Sequence, residues 1–197
     1  MSNDTSTPQP AAGPAARCVG VIGLGAMGAG MAQSLRRAGH HVHVHDIRPG
    51  AAAAFAAEGG TACATLADMA AACRIIVSVV VNAQQTEAVL FGEGGIAPAL
   101  QPGSVFVMCS TVDPNWSVAL EARLQAQGVH YIDAPISGGA AKAASGQMTM
   151  MTAGRPEAYA GRCPGRTAAA ADAPAPVERS EERRVGKEGR SRWSPYH

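Results

Sequence analysis

The stretch Val19–Met31, V-G-V-I-G-L-G-A-M-G-A-G-M, constrains this chain more than any other. Val19, Val21 and Ile22 form a short apolar run of the kind that makes a buried parallel strand. Gly23-x-Gly25-x-x-Gly28 breaks the run, and Met27, Met31 and Leu35 then recur at helical spacing. Strand, glycine turn and helix in that order are the context in which such a motif reads as a dinucleotide-binding turn. Gly23 suits the tight turn, Gly25 the close approach of backbone to a pyrophosphate, and Gly28 the packing of helix on strand. Leu24, Ala26 and Met27 fill the remaining positions and join the glycines as candidate cofactor contacts. The helix N-terminus adds N–H groups and partial positive charge.

Gly39 ends that helix, and His41–Asp46 alternates as a second strand. Asp46 lies about twenty positions beyond the glycines, where a Rossmann fold places the carboxylate that accepts from the adenosine ribose 2′-OH. A carboxylate there repels a 2′-phosphate and favours NAD. Arg48, two residues on, can accommodate that phosphate and keeps NADP open. His41, His43 and His45 fall on one strand face, but ligands in a line do not converge on a tetrahedral ion, so no metal is expected.

Further strands are predicted over Arg74–Val81, Ser104–Cys109, Val129–Asp133 and Gln147–Thr152. Helices are predicted over Pro49–Glu58, Thr65–Cys73, Asn82–Leu90 and Pro114–Gln127. Strands alternating with helices at this spacing make an α/β, doubly wound, mainly parallel sheet, a Rossmann-like domain. Ligands of such sheets lie beyond the carboxyl ends of the strands. Gly25, Asp46, Val81-Asn82, Ser110-Thr111 and Ser137-Gly138-Gly139 all fall there. Asn82 also fits the simpler role of a helix N-cap.

The 197 residues allow one domain and part of another. A net charge of +1 points to no polyanion partner, so no nucleic acid is expected. The five cysteines are scattered without a C-x-x-C pair, which suits reduced thiols in a cytoplasmic protein. Residues 1–16 are rich in Pro, Ala, Ser and Thr and read as a disordered leader, not a signal peptide. No apolar run has the length of a membrane span, so no membrane partner is expected.

Three stretches together resemble the β-hydroxyacid dehydrogenases, the family of 3-hydroxyisobutyrate, tartronate semialdehyde and L-threonate dehydrogenases. They are G-L-G-A-M-G-A-G-M-A at Gly23–Ala32, S-T-V-D-P at Ser110–Pro114, and D-A-P-I-S-G-G at Asp133–Gly139. V-N-A-Q-Q-T-E-A-V-L-F-G-E at Val81–Glu93 and A-A-K-A-A-S-G-Q-M-T at Ala140–Thr149 are most similar to the L-threonate dehydrogenase branch. The resemblance implies that Ser137 and the backbone of Gly138 and Gly139 hold a substrate carboxylate. It also implies that Val81, Asn82 and Thr111 border the nicotinamide, and that the full-length protein is a homo-oligomer. The implied reaction is hydride transfer between NAD or NADP and a small 3-hydroxy or sugar acid. A 6-phosphogluconate dehydrogenase would carry acidic residues after S-G-G, where this chain has Ala140-Ala141. That enzyme type and a non-catalytic dinucleotide-binding module are the alternatives.

In this family the general acid/base is a lysine in a G-x-x-x-K-x-x-x-N helix leading into a helical second domain. Lys142 belongs to the substrate-motif loop, and Lys187 lacks both the glycine and the asparagine. The expectation is a dinucleotide-binding domain over 17–160 with no catalytic lysine and no turnover. Residues 161–178 lack Leu, Ile, Met and Phe and read as out-of-frame translation or a Pro/Ala linker. Arg179–His197 resembles a translated short-read sequencing adapter at every position but Gly189. Its six Lys/Arg against three Asp/Glu then say nothing about partners.

Overall fold

The computed structural model describes residues 16–160. Leader residues 1–15 and the segments 161–178 and 179–197 lie outside that range. The main sheet contains β1 (Cys18–Ile22), β2 (His41–His45), β3 (Thr61–Ala62), β4 (Ile75–Ser78), β5 (Val105–Met108), β6 (His130–Asp133) and β9 (Ala153–Gly154). Its order is β3-β2-β1-β4-β5-β6-β9. All neighbours are parallel except β6 and β9, which pair antiparallel. Strand order reverses between β1 and β4, and the crevice at that switch point is where doubly wound sheets take ligands.

Helices α1 (Gly28–Arg37), α2 (Ala51–Ala57), α6 (Gly139–Ser145) and α7 (Pro156–Tyr159) cover one face of the sheet. Helices α3 (Leu66–Ala72), α4 (Ala83–Phe91) and α5 (Pro114–Gln125) cover the other, with a 3-10 turn at Ala97–Ala99. The strand alternation divides the core accordingly. Ile75, Val77, Val105 and Val107 face the first layer, while Ile76, Phe106 and Met108 face the second. Both faces are buried, so the central strands read as continuous apolar runs. Local signals set the helix ends: Thr65 and Asp68 form a capping box on α3, and Asp113 caps α5 ahead of Pro114.

One predicted element differs. The strand expected over Gln147–Thr152 contracts to β8 (Thr149–Met150), outside the main sheet, antiparallel to β7 (Ile136–Ser137). Pro135 interrupts the chain after β6, so Ile136 starts a separate ribbon and does not extend the parallel ladder. Among the described residues no helix is long and apolar enough to cross a membrane. None of them forms a group of three or more His, Cys, Asp or Glu able to hold a metal ion. His45 Nδ1 lies 3.1 Å from the Cys63 carbonyl, and His43 Nδ1 lies 3.8 Å from Cys63 Sγ.

Candidate functional site at the carboxyl ends of the strands

The glycine turn leaves β1 at the switch point. Gly23 has φ +90°, and a Cβ there would stand 2.6 Å from the Val79 carbonyl oxygen. A Cβ on Gly28 would collide with the Gly23 carbonyl, so the first turn of α1 closes on the strand only without one. Gly25 and Ala26 form the exposed apex, and a Cβ on Gly25 would meet nothing within 4 Å. Met27 is the N-cap of α1 and makes no side-chain cap bond. This is an open backbone cradle ahead of a helix N-terminus, which fits a dinucleotide pyrophosphate. Leu24 is turned inward. Its side chain is in the core, and its N–H donates to Asp46 Oδ2 at 2.6 Å.

Asp46, just past β2, is clamped. Its Oδ1 accepts from the Arg48 backbone N–H at 2.7 Å and from Arg48 Nε at 3.0 Å. Its Oδ2 accepts from Arg48 Nη2 at 3.0 Å as well as from Leu24. The same Nη2 donates to the Leu24 carbonyl at 2.8 Å. The Asp46 side chain is only 5% exposed, against 57% for Arg48. The Arg48 hydrogen bonds hold the Asp46 carboxyl at about 2, well below its ordinary 3.8, against an opposing effect of burial. Arg48 therefore folds back over the glycine turn, and the end of β2 and the turn after β1 are one bonded unit.

The turn after β4 is fixed from beneath. Asn82 is the N-cap of α4, its Oδ1 accepting from the Gln85 N–H at 2.9 Å. The Val81 N–H donates to Gln85 Oε1 at 2.9 Å. Ser110, buried at the end of β5, donates through Oγ to the Val80 carbonyl at 2.7 Å. Its Oγ lies 3.3 Å from Thr86 Oγ1, which donates to the Asn82 carbonyl at 3.0 Å. Thr111 is exposed, and Val81 is 79% exposed. Of the pair Ser110-Thr111, one hydroxyl is structural and the other belongs to an exposed residue.

Ser137, Gly138 and Gly139 are exposed and lead into α6. Gly138 at φ +129° and Gly139 at +78° adopt conformations that L side chains rarely take. Behind this loop, Asp133 Oδ2 accepts from Ser117 Oγ at 3.0 Å, tying the end of β6 to α5. The loop is also tied to the glycine turn through α1, against which α6 packs. A Cβ on Gly30 would stand 2.7 Å from the Ala144 backbone nitrogen, and one on Gly146 would stand 2.7 Å from Ser34 Oγ. Arg37 Nη2 donates to the Ala144 carbonyl. Sequence reasoning missed Gly30, although the glycine pair Gly28-Ala29-Gly30 carried the signal. It also missed the clamps made by Arg48, Gln85 and Ser110, which leave no pattern in the chain.

A concavity of ≈ 540 Å³ lined by Arg17, Cys18, Arg74 and Pro102 lies at the opposite ends of the strands. It lies away from the Gly23–Gly28 turn, and Arg74 there donates to the Pro102 carbonyl at 3.2 Å. The chemistry-bearing residues belong to the carboxyl ends.

Residues 18–170 match the family described as the NAD binding domain of 6-phosphogluconate dehydrogenase. The L-threonate dehydrogenase of Cupriavidus necator is 56% identical over 143 residues, covering 73% of this chain and 48% of that protein. The L-threonate dehydrogenase of Haemophilus influenzae is 42% identical over 142 residues, covering 72% and 47%. A crystal structure of 3-hydroxyisobutyrate dehydrogenase from Salmonella typhimurium superposes with a TM-score of 0.70 at 40% identity, covering 74% of this chain and 50% of that one. The chain thus spans about half the length of the curated relatives it matches. By the family match, it belongs to the family of the NAD binding domain of 6-phosphogluconate dehydrogenase, and over that domain it is similar to L-threonate and 3-hydroxyisobutyrate dehydrogenases.

Proposed function

We propose that this chain carries the cofactor- and carboxylate-binding half of an NAD-dependent dehydrogenase for a small 3-hydroxy or sugar acid of the L-threonate type. One observation carries the reading. Helix α1 leaves the Gly23–Gly28 turn at its start and holds, along its flank, the helix that begins at Ser137-Gly138-Gly139. A cofactor cradle and a positive-φ anion loop on one rigid helix suit a reaction between two bound molecules. In this reading Gly25, Ala26 and Met27 face the pyrophosphate, Asp46 faces the ribose, and Leu24 fastens the turn to Asp46. Val81, Asn82 and Thr111 border the nicotinamide. The Ser137 hydroxyl and the Gly138 and Gly139 amides receive the carboxylate.

NAD supplies the hydride acceptor. The protein's part is orientation: anchoring the carboxylate fixes the carbinol carbon in register, the class of effect that supplies the largest entropic gains in catalysis. The hydroxyl proton requires a general base. The printed sequence has no complete G-x-x-x-K-x-x-x-N stretch, since Gly138–Lys142 is followed by Gly146 where the asparagine would stand. The 197-residue polypeptide is therefore proposed to bind without turning over, with residues 17–160 as the binding unit.

Calorimetric titration of the chain with NAD and NADP, then with L-threonate, tests the reading. Saturable NAD binding, weaker NADP binding and no NADH formation are expected. Absence of NAD binding by the folded chain would overturn the proposal, and NADH formation would overturn its claim about turnover. The 6-phosphogluconate reading is disfavoured by Ala140-Ala141 after the loop.

A further inference from the structure

Residues 16–160 contain seven arginines and a single lysine, Lys142. That lysine stands in α6, three residues past Gly139 of the Ser137-Gly138-Gly139 loop. Its neighbour Ala143 is buried against α1, so the helix is seated with Lys142 on an outward flank. Its stem is laid across the loop. A Cβ built on Gly138 would stand 3.1 Å from Lys142 Cδ and 3.2 Å from Lys142 Cβ. Cδ is two bonds short of the ammonium, so the charge is carried at the edge of the loop. The ion pairs among the described residues are Arg48–Asp46, Arg123–Glu87 and Arg155–Glu121, and Lys142 is in none of them. Helix α6 is itself held by the Gly30 contact and by the Arg37 bond to the Ala144 carbonyl, so the lysine stands on a fixed platform.

We propose that Lys142 is a specificity-determining residue whose ammonium pairs with the carboxylate of the hydroxy acid held by Ser137, Gly138 and Gly139. This rests on the hydroxyacid reading above. Neutral hydrogen-bond donors alone would accept an amide or an alcohol almost as well as a carboxylate. A cation beside them selects the anion, because hydrogen bonds between charged partners are about twice as strong as neutral ones. Gly138 is part of the same device, since a side chain there would meet the lysine stem.

The test uses the full chain with NAD present, following the Gly138 and Gly139 amide resonances during titration with L-threonate and with neutral L-threonamide. Lys142→Met keeps the stem and removes the charge, and the rest of the amide spectrum reports whether it folds. It is expected to weaken L-threonate about tenfold, to leave L-threonamide within twofold, and to abolish the salt dependence of the anion's midpoint. Lys142→Arg is expected to stay within about threefold of the parent. Equal L-threonate midpoints for parent and Lys142→Met would overturn the role of Lys142 and leave the hydroxyacid reading standing. A parent chain whose loop amides ignore L-threonate altogether would overturn both.

Discussion

At Asp46 a single carboxylate carries stability and, in the proposed reading, the choice of cofactor. An ionised carboxylate has about four acceptor positions, and Leu24 N–H, Arg48 N–H, Nε and Nη2 occupy that many. Its folded value of about 2 lies below its ordinary 3.8, so the charged form is favoured by folding. The sign follows from linkage: the contribution is complete above about pH 4 and is lost as the pH falls toward 2. Its size is about 2 kcal/mol, from roughly 1.4 kcal/mol per pH unit. Asp46→Asn should therefore lower the urea midpoint at pH 7 and flatten the acid limb of stability between about pH 4 and 2. Parallel acid limbs for the two proteins would contradict this. A ribose diol reaches the same oxygens only by displacing a bond from Arg48. Once displaced, that guanidinium is the group available to a 2′-phosphate. Arg48→Ala should then cut NADP affinity about tenfold while NAD affinity holds or rises, as measured by paired calorimetric titrations. An equal loss for both cofactors would show that Arg48 serves only the fold.

At the scale of elements, α1 joins the two loops proposed to bind cofactor and carboxylate, and Gly30 sets the spacing. The Ala144 nitrogen that a Cβ would meet belongs to backbone and cannot rotate aside, so Gly30→Ala must push α6 away from α1. Overpacking of this kind costs about 1–3 kcal/mol. The chemical-denaturation midpoint should fall accordingly, and the amides of Ser137–Gly139 should shift while those of Gly25 and Ala26 stay in place. Amide shifts confined to residues beside Gly30 would mean that α1 absorbs the methyl and does not relay it. The same contact shows where sequence reasoning stops. Strands such as Ile75–Ser78 and Val105–Met108 were legible because burial on both faces makes them continuous apolar runs. The glycine turn was legible because its three glycines stand at a characteristic spacing, two of them, Gly23 and Gly28, where a Cβ would strike backbone. The two-residue strands Thr61–Ala62, Ile136–Ser137 and Ala153–Gly154 are too short to show any period. Whether Arg48 folds back or Ser110 turns inward depends on neighbours far along the chain, and no local pattern records that.

At the scale of the whole molecule, the main sheet is covered on both faces, and apolar surface remains at the ends of its strands and of the β7–β8 ribbon. Ile47, Val81 and Met151 are exposed at 93%, 79% and 65%, and they follow β2, β4 and β8 respectively. The first two flank the glycine turn at the switch point. A ligand lying across that crevice would contact the ends of β1, β2 and β4 together and so add to the bonding already described between them. Binding of this kind stabilises the folded chain by RT ln(1 + [L]/Kd), about 2.7 kcal/mol when NAD is at 100 times its Kd. For a domain of this size one kcal/mol moves Tm by about 2–4 °C, so NAD should raise it by about 5–10 °C. NADP at the same concentration should raise it less if Asp46 faces the ribose as proposed, since a carboxylate there repels the extra phosphate. Asp46→Ala should abolish the difference between the two cofactors while keeping part of the shift, since the glycine cradle is intact. A thermal scan in which millimolar NAD leaves Tm unmoved would remove the cofactor site. One in which Asp46→Ala still prefers NAD by the parental margin would place the discrimination on residues other than this carboxylate.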